Sequence, residues 1–181
     1  MSRHSGQALT LLSATVTTGL TAGLFGDWAH TIMPGLVTTD DRVFVAAVQA
    51  LDRAIYNPLF LLPFLGGLVF SGLAVLLHLR APERPVLPWV AAAFGLHLAA
   101  WAITAAVHLP LNAAIAAPGD PAVLRHAFDE GLWAAWHAVR TTAALVAFGC
   151  LAWALVLHGR STAVPGVPPN AAHPSTRARS T

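Results

Sequence analysis

Four long apolar runs dominate the chain, at about residues 8–33, 58–79, 87–108 and 131–158. Each reaches the roughly 20 residues that a helix needs to cross about 30 Å of hydrocarbon. Turn-forming stretches separate them: Pro34-Gly35 follows the first, RAPERP joins the second to the third, and APGDP joins the third to the fourth. The first run starts behind Arg3 and His4 as a secretion signal would, yet it stays apolar through IMPGL, which predicts a retained helix.

The segment TTDDRVFVAAVQALDRAIYNP, between the first two runs, is polar and apolar by turns on a helical period. Asp40 or Asp41 supplies an N-cap, and Pro58 opens the next element. Projected on a helix, Arg42, Gln49, Asp52, Arg53 and Tyr56 share one face, and Phe44, Val48, Leu51 and Ile55 the other. Such a helix either lies on the outer membrane surface, polar face to water, or turns that face inward as a lid over a cavity. The pattern as a whole predicts an all-α integral membrane four-helix bundle over residues 1–160, with an amphipathic helix between spans 1 and 2. The remainder, 161–181, is rich in Pro, Ser and Thr and is expected to be a disordered tail.

Composition narrows the class further. The chain is 56% hydrophobic and 10% charged, against about 25% charged in soluble domains. All ten basic residues are arginines scattered along the chain, and the net charge is only +2, which excludes a nucleic-acid surface. Cys150 is the only cysteine, so no intramolecular disulfide or thiolate cluster forms.

Arg3, Arg80, Arg84, Arg160, Arg177 and Arg179 fall on one side of the bundle, and Arg42, Arg53 and Arg125 on the other, together with every acid except Glu83. The excess of arginine predicts cytoplasmic termini in a protein of the bacterial plasma membrane. Gly19, Gly23 and Gly26 in the first run, and Gly66, Gly67, Ser71 and Gly72 in the second, predict close helix packing or a homo-oligomer contact.

Ionisable groups inside the runs carry the candidate chemistry. Asp129, Trp133, His137 and Arg140 form one stripe on the fourth helix. A charge at membrane depth costs at least a few kcal/mol, so Arg140 faces the interior or a cavity, or else snorkels outward or pairs with Asp129 or Asp27. Asp27 and His30 end the first run, Asn57 begins the second, and His108 and Asn112 end the third, all toward the same end of the bundle. Metal-ligand chemistry is one reading: Asp27, His30, His108 and His137 form a three-histidine, one-carboxylate set suited to copper, iron or zinc. A haem between His108 and His137 is a weaker variant of it, and a non-catalytic membrane subunit or scaffold is a further class. His78 and His158 stand beside the cytoplasmic arginines and are expected to be interfacial.

Four stretches, TAGLFGDWAHTIMPGL (21–36), VQALDRAIYNPLF (48–60), HLPLNAAIA (108–116) and WAAWHAVRTTAA (133–144), together resemble the anthrone-oxygenase-like family of small four-helix membrane proteins. The resemblance rests on Met33-Pro34-Gly35, on Gln49 with Asp52 and Arg53, on Asn57-Pro58, on Pro110-Leu111-Asn112, and on Trp136 or His137 leading to Arg140-Thr141. Asp52, His108 and His137 stand where the family often has Asn.

The resemblance implies oxidation of an anthrone-like polycyclic aromatic, a hydrophobic partner met in the lipid bilayer, to a quinone with O2 and no organic cofactor. His137 or His108 would be the general base, and Arg140 would stabilise the enolate. Trp133 and Trp136 would hold the flat substrate, and Asn57, Asn112, Gln49 and Asp52 would contact its polar groups.

Overall fold

The structure, a computed structural model, describes residues 3–79 and 85–162. Arg80, Glu83, Arg84, Arg177 and Arg179, on which part of the orientation argument rests, lie outside the described residues, as does the expected tail from residue 163 onward.

The chain is all helical among the described residues. The first span combines α1 (Arg3–Asp27), a π-helical turn (Trp28–Ile32) and the short α2 (Met33–Leu36). After α3 (Asp41–Ile55), the second span is α4 (Pro58–His78). The third is α5 (Leu87–Ile103), a second π-helical turn (Thr104–His108) and α6 (Leu109–Ala116). After α7 (Pro121–Phe128), α8 (Glu130–Thr162) is the fourth. Four helical stretches are long and apolar enough to cross a membrane. They form a square: α1 packs on α4 and α8, and α5 on the same two.

Both π-turns have a cause in the sequence. Met33 N–H bonds back to the Trp28 carbonyl, and Leu109 N–H to that of Thr104, each spanning five residues and each immediately before a proline. A proline inside a helix has no N–H and its ring presses on the carbonyl four residues back. Widening the preceding turn relieves that clash and keeps the other backbone groups bonded, as a membrane interior requires. Pro34 and Pro110 therefore continue their helices rather than ending them.

The ends of the bundle differ. At the end carrying the chain termini, Leu11, Ala14, Ala74, Val90, Ala147, Leu151 and Ala154 make a close-packed apolar core. His78 and His158 are buried there and meet edge to face at 5.8 Å, not left at the interface as expected. Glycines in α4 permit this packing: a Cβ on Gly66 would meet Thr17 at 2.8 Å, and one on Gly67 would meet His97 at 2.6 Å. Gly19 sits against Phe148, whereas Gly23 and Gly26 face open space.

At the opposite end, α3 and α7 form a cap. Asp40 caps α3 by accepting from Val43 N–H at 2.9 Å, and Asp120 does the same for α7. Phe44, Val45, Val48, Ile115, Leu124 and Phe128 bury together beneath them. Arg125 ties the cap by donating to Glu130, Asp41 and the carbonyls of Val37 and Thr39, with its guanidinium 4.4 Å over the Phe44 ring. Thus α3 lies with its apolar face down on α6 and α7, Arg42 and Arg53 outward, and Gln49 and Asp52 turned sideways toward α6. It closes the bundle, as a lid would, but through its apolar face rather than its polar one.

Candidate functional site

Arg140 sits on the inward face of α8 and is 8% exposed. Its Nε–H donates to His137 Nδ1 at 3.0 Å, one turn earlier on the same helix, and Nη1 donates to Thr104 Oγ1 at 3.1 Å. Thr104 can accept because its own hydroxyl hydrogen goes to the Ala100 carbonyl. The guanidinium lies 4.5 Å over the Phe25 ring and 5.7 Å from Trp133, a cation–π setting that partly replaces lost hydration. Among the described residues no carboxylate pairs with it. Asp129 instead caps α8 from a left-handed conformation (φ 46°), and Asp27 is exposed. A guanidinium has five N–H donors, so three are left without a protein partner.

His137 is fully occupied. A carbonyl only accepts, so Nε2–H donates to the Phe25 carbonyl at 2.9 Å, and the Nδ1 lone pair is taken by Arg140. Trp133 stacks on its ring at 4.6 Å. His137 can act as a base only by releasing Arg140, so its geometry is that of a positioning group rather than the predicted base.

His108 is different. It ends the second π-turn, is 1% exposed, and its Nδ1–H makes a long 3.5 Å bond to the Ile103 carbonyl. The Nε2 lone pair has no partner. Its ring stands edge-on to Trp133 at 5.2 Å and 6.0 Å from His137. A third string of bonds runs from the cap into the bundle: Asn112 Nδ2 donates to Asp52 at 2.7 Å, and Asn112 Oδ1 accepts from the Trp133 indole at 3.1 Å.

These groups surround a cavity of two lobes, about 50 and 100 Å3, that share Phe25, Ile55, Phe60, Asn112 and Arg140 as walls. Asp52 and Trp133 line the first lobe, and Thr104 and His108 the second. Of the residues expected at the site, Arg140, His108, Asn112, Asp52 and Trp133 come together here. The others are used elsewhere. Trp136 is 39% exposed and does not line the cavity, since the buried stripe of α8 runs through Trp133, His137 and Arg140 and leaves Trp136 at its outer margin. Asn57 is the N-cap of α4, accepting from Phe60 N–H and donating to the Ala54 carbonyl. Gln49 anchors α3 to α6 through the Ile115 carbonyl at 2.7 Å.

The four-ligand metal set is not assembled. Asp27 and His30 are exposed on the first span, both nitrogens of His137 are engaged, and no three His, Cys, Asp or Glu side chains gather suitably among the described residues. A haem held by His108 and His137 fails on the same point, since His137 has no free lone pair.

His97 escaped the sequence reading. It is 6% exposed in mid-bundle, donates through Nδ1 to the Ala93 carbonyl at 2.9 Å, and accepts from Thr18 at Nε2, 3.2 Å away. Its spacing from His108, three turns along one helix, was the available signal.

A four-span helical bundle of this kind, with a mostly apolar cavity holding a few polar groups under a helical cap, defines a class of small integral membrane protein. A model of the anthrone oxygenase family matches residues 55–150, more than half of the chain, and the chain belongs to that family. The match runs from the end of α3 into α8 and includes His108, Asn112, Trp133 and Arg140, whereas Phe25 and Asp52 precede it. Neither a curated protein nor a solved structure matches the chain.

Proposed function

We propose that the chain oxidises an anthrone-like polycyclic aromatic to its quinone with O2, in the cavity beneath the cap. The observation that carries this reading is Arg140: a buried guanidinium without a carboxylate partner among the described residues, lining a cavity beside the unpartnered His108 Nε2. A cation held in a dry site by neutral groups favours an anion that forms there.

His108 Nε2 takes a proton from the methylene between the aromatic rings. The electron pair left on carbon delocalises onto the ring carbonyl, and Arg140 N–H groups hold that oxygen as enolate. The enolate carbon reduces O2 and bonds to it, and the peroxide anion so formed takes the proton back from His108 to become a hydroperoxide. Loss of water, with the second methylene hydrogen leaving as a proton, gives the quinone; one oxygen atom stays in the product and the other leaves in water. Trp133 supplies a flat wall, and Asp52 and Asn112 face hydroxyl groups on the ring system. His137 keeps Arg140 in place throughout.

The test is turnover of anthrone by the purified protein in liposomes, with O2 uptake and quinone absorbance followed together. Equimolar O2 uptake and quinone, lost in both Arg140→Gln and His108→Phe proteins that retain their melting temperature, is the expected result. Unchanged turnover in both variants would remove the proposed chemistry.

A further inference from the structure

We propose that the ligand enters this cavity sideways from the bilayer, through a gap between α4 and α6, and not from the water above the cap. The cargo is a planar aromatic molecule dissolved in the leaflet on the cap side. The inference rests on the reading of the cavity given above and adds its route.

With 21 residues, α4 is about 31 Å long, close to the thickness of the hydrocarbon, so Pro58 marks its edge. Phe60, Leu61 and Phe64, which line the second lobe, therefore lie about 3–9 Å inside the membrane. Along its length α4 packs on α1 and α5, with Phe64 stacked on Trp101 at 4.6 Å, but among the described residues it does not pack closely on the Thr104–His108 turn or α6. The facing wall is Leu109, 48% exposed, and Tyr56, 63% exposed, stands at the upper corner.

The cap is built differently. Directly above the first lobe Phe44 and Phe128 are fully buried and in contact, and Val48 is 3% exposed. Arg125 bonds that layer to the 37–41 loop and to α8. Opening it breaks a packed core and a charged network. Opening the side requires only rotation of Tyr56, Leu109 and Phe60, side chains with lipid on one side, and such rotations are fast. The resting lobes are smaller than a tricyclic aromatic, so something must move, and the side wall moves at the lower cost.

The experiment follows binding of 1,8-dihydroxyanthraquinone to the full chain in phosphatidylcholine liposomes by tryptophan quenching after rapid mixing. A Leu61→Trp/Leu109→Trp protein, with its gap narrowed, should bind severalfold more slowly, and the association rate is the readout because both residues also line the second lobe. Leu109→Ala should bind faster, and Arg125→Ala, with its cap loosened, at the unmodified rate. Faster binding in Arg125→Ala with no change in the gap variants would overturn the route while leaving the ligand class in place. A slower release or a weaker Kd without any change in association would make Leu61 and Leu109 walls and not a gate, overturning the route as well. Absence of saturable quenching in the unmodified protein would overturn the ligand class and the route together.

Discussion

His97 and His108 stand eleven residues apart on one long helical stretch, about three turns, and both are almost completely buried. Around His97 every polar atom is matched: Ala93 takes its hydrogen, Thr18 fills its lone pair, and Gly67 lets the second span close onto the ring. Around His108 the π-turn forced by Pro110 displaces the helix, the backbone bond stretches to 3.5 Å, Nε2 has no partner, and a cavity opens beside it. An unmatched buried polar atom is costly, so its presence next to a cation without a counter-ion points to a ligand, whereas matched burial points to packing. Identical side chains on the same helix thus stand in different surroundings because their neighbours differ.

Several substitutions bear on that contrast. The largest effect is expected for His108→Phe, which removes the proposed base and should lower kcat about 100-fold or more in the anthrone assay; His97→Phe should leave kcat within severalfold of the unmodified protein at a temperature where both are folded. Equal losses in the two would erase the distinction. Arg140→Gln is expected to lower kcat about 100-fold, with Arg140→Lys recovering only part of it, because an ammonium lacks the planar fork that meets His137 and Thr104 together. Thr104→Val removes a single hydrogen bond to a charged group, worth about 1.5–3 kcal/mol, and its kcat should fall less than that of Arg140→Gln. Gly67→Ala should act only on stability: a methyl 2.6 Å from His97 Nε2 forces repacking at about 1–3 kcal/mol, read as a lower melting temperature with turnover retained below it.

Much of this architecture is legible in the sequence, and for simple reasons. Four apolar runs of bilayer length leave little choice but four spans, and Asp40 and Pro58 bracket α3 through local hydrogen bonds and backbone restriction. The stripe Trp133, His137, Arg140 was visible as helical spacing, and the topology brought Asn112 and His108 to the same end. What the sequence does not express is which lone pair is already used. That His137 is spent on Phe25 and Arg140, while His108 is not, depends on a distance between helices whose bonded residues lie 112 apart in the chain. Asn57 and Gln49 were attractive as polar residues near a pocket, yet each met a backbone demand closer by: an open helix terminus for one, the Ile115 carbonyl for the other. The two π-turns were written in Met33-Pro34 and Leu109-Pro110, and the way they aim Thr104 and His108 required the bundle around them.

If Arg140 holds an anion formed in the cavity, that charge can be measured without turnover. Hydroxyanthraquinones change colour when they lose a phenolic proton, so the visible spectrum of 1-hydroxyanthraquinone bound to the protein in liposomes reports the charge at that oxygen. Bound beside Arg140, the dye should show its phenolate band at a lower pH than in protein-free liposomes, and Arg140→Gln should abolish the shift while still binding the dye. An unshifted spectrum in the unmodified protein, or the same shift in Arg140→Gln, would contradict the account.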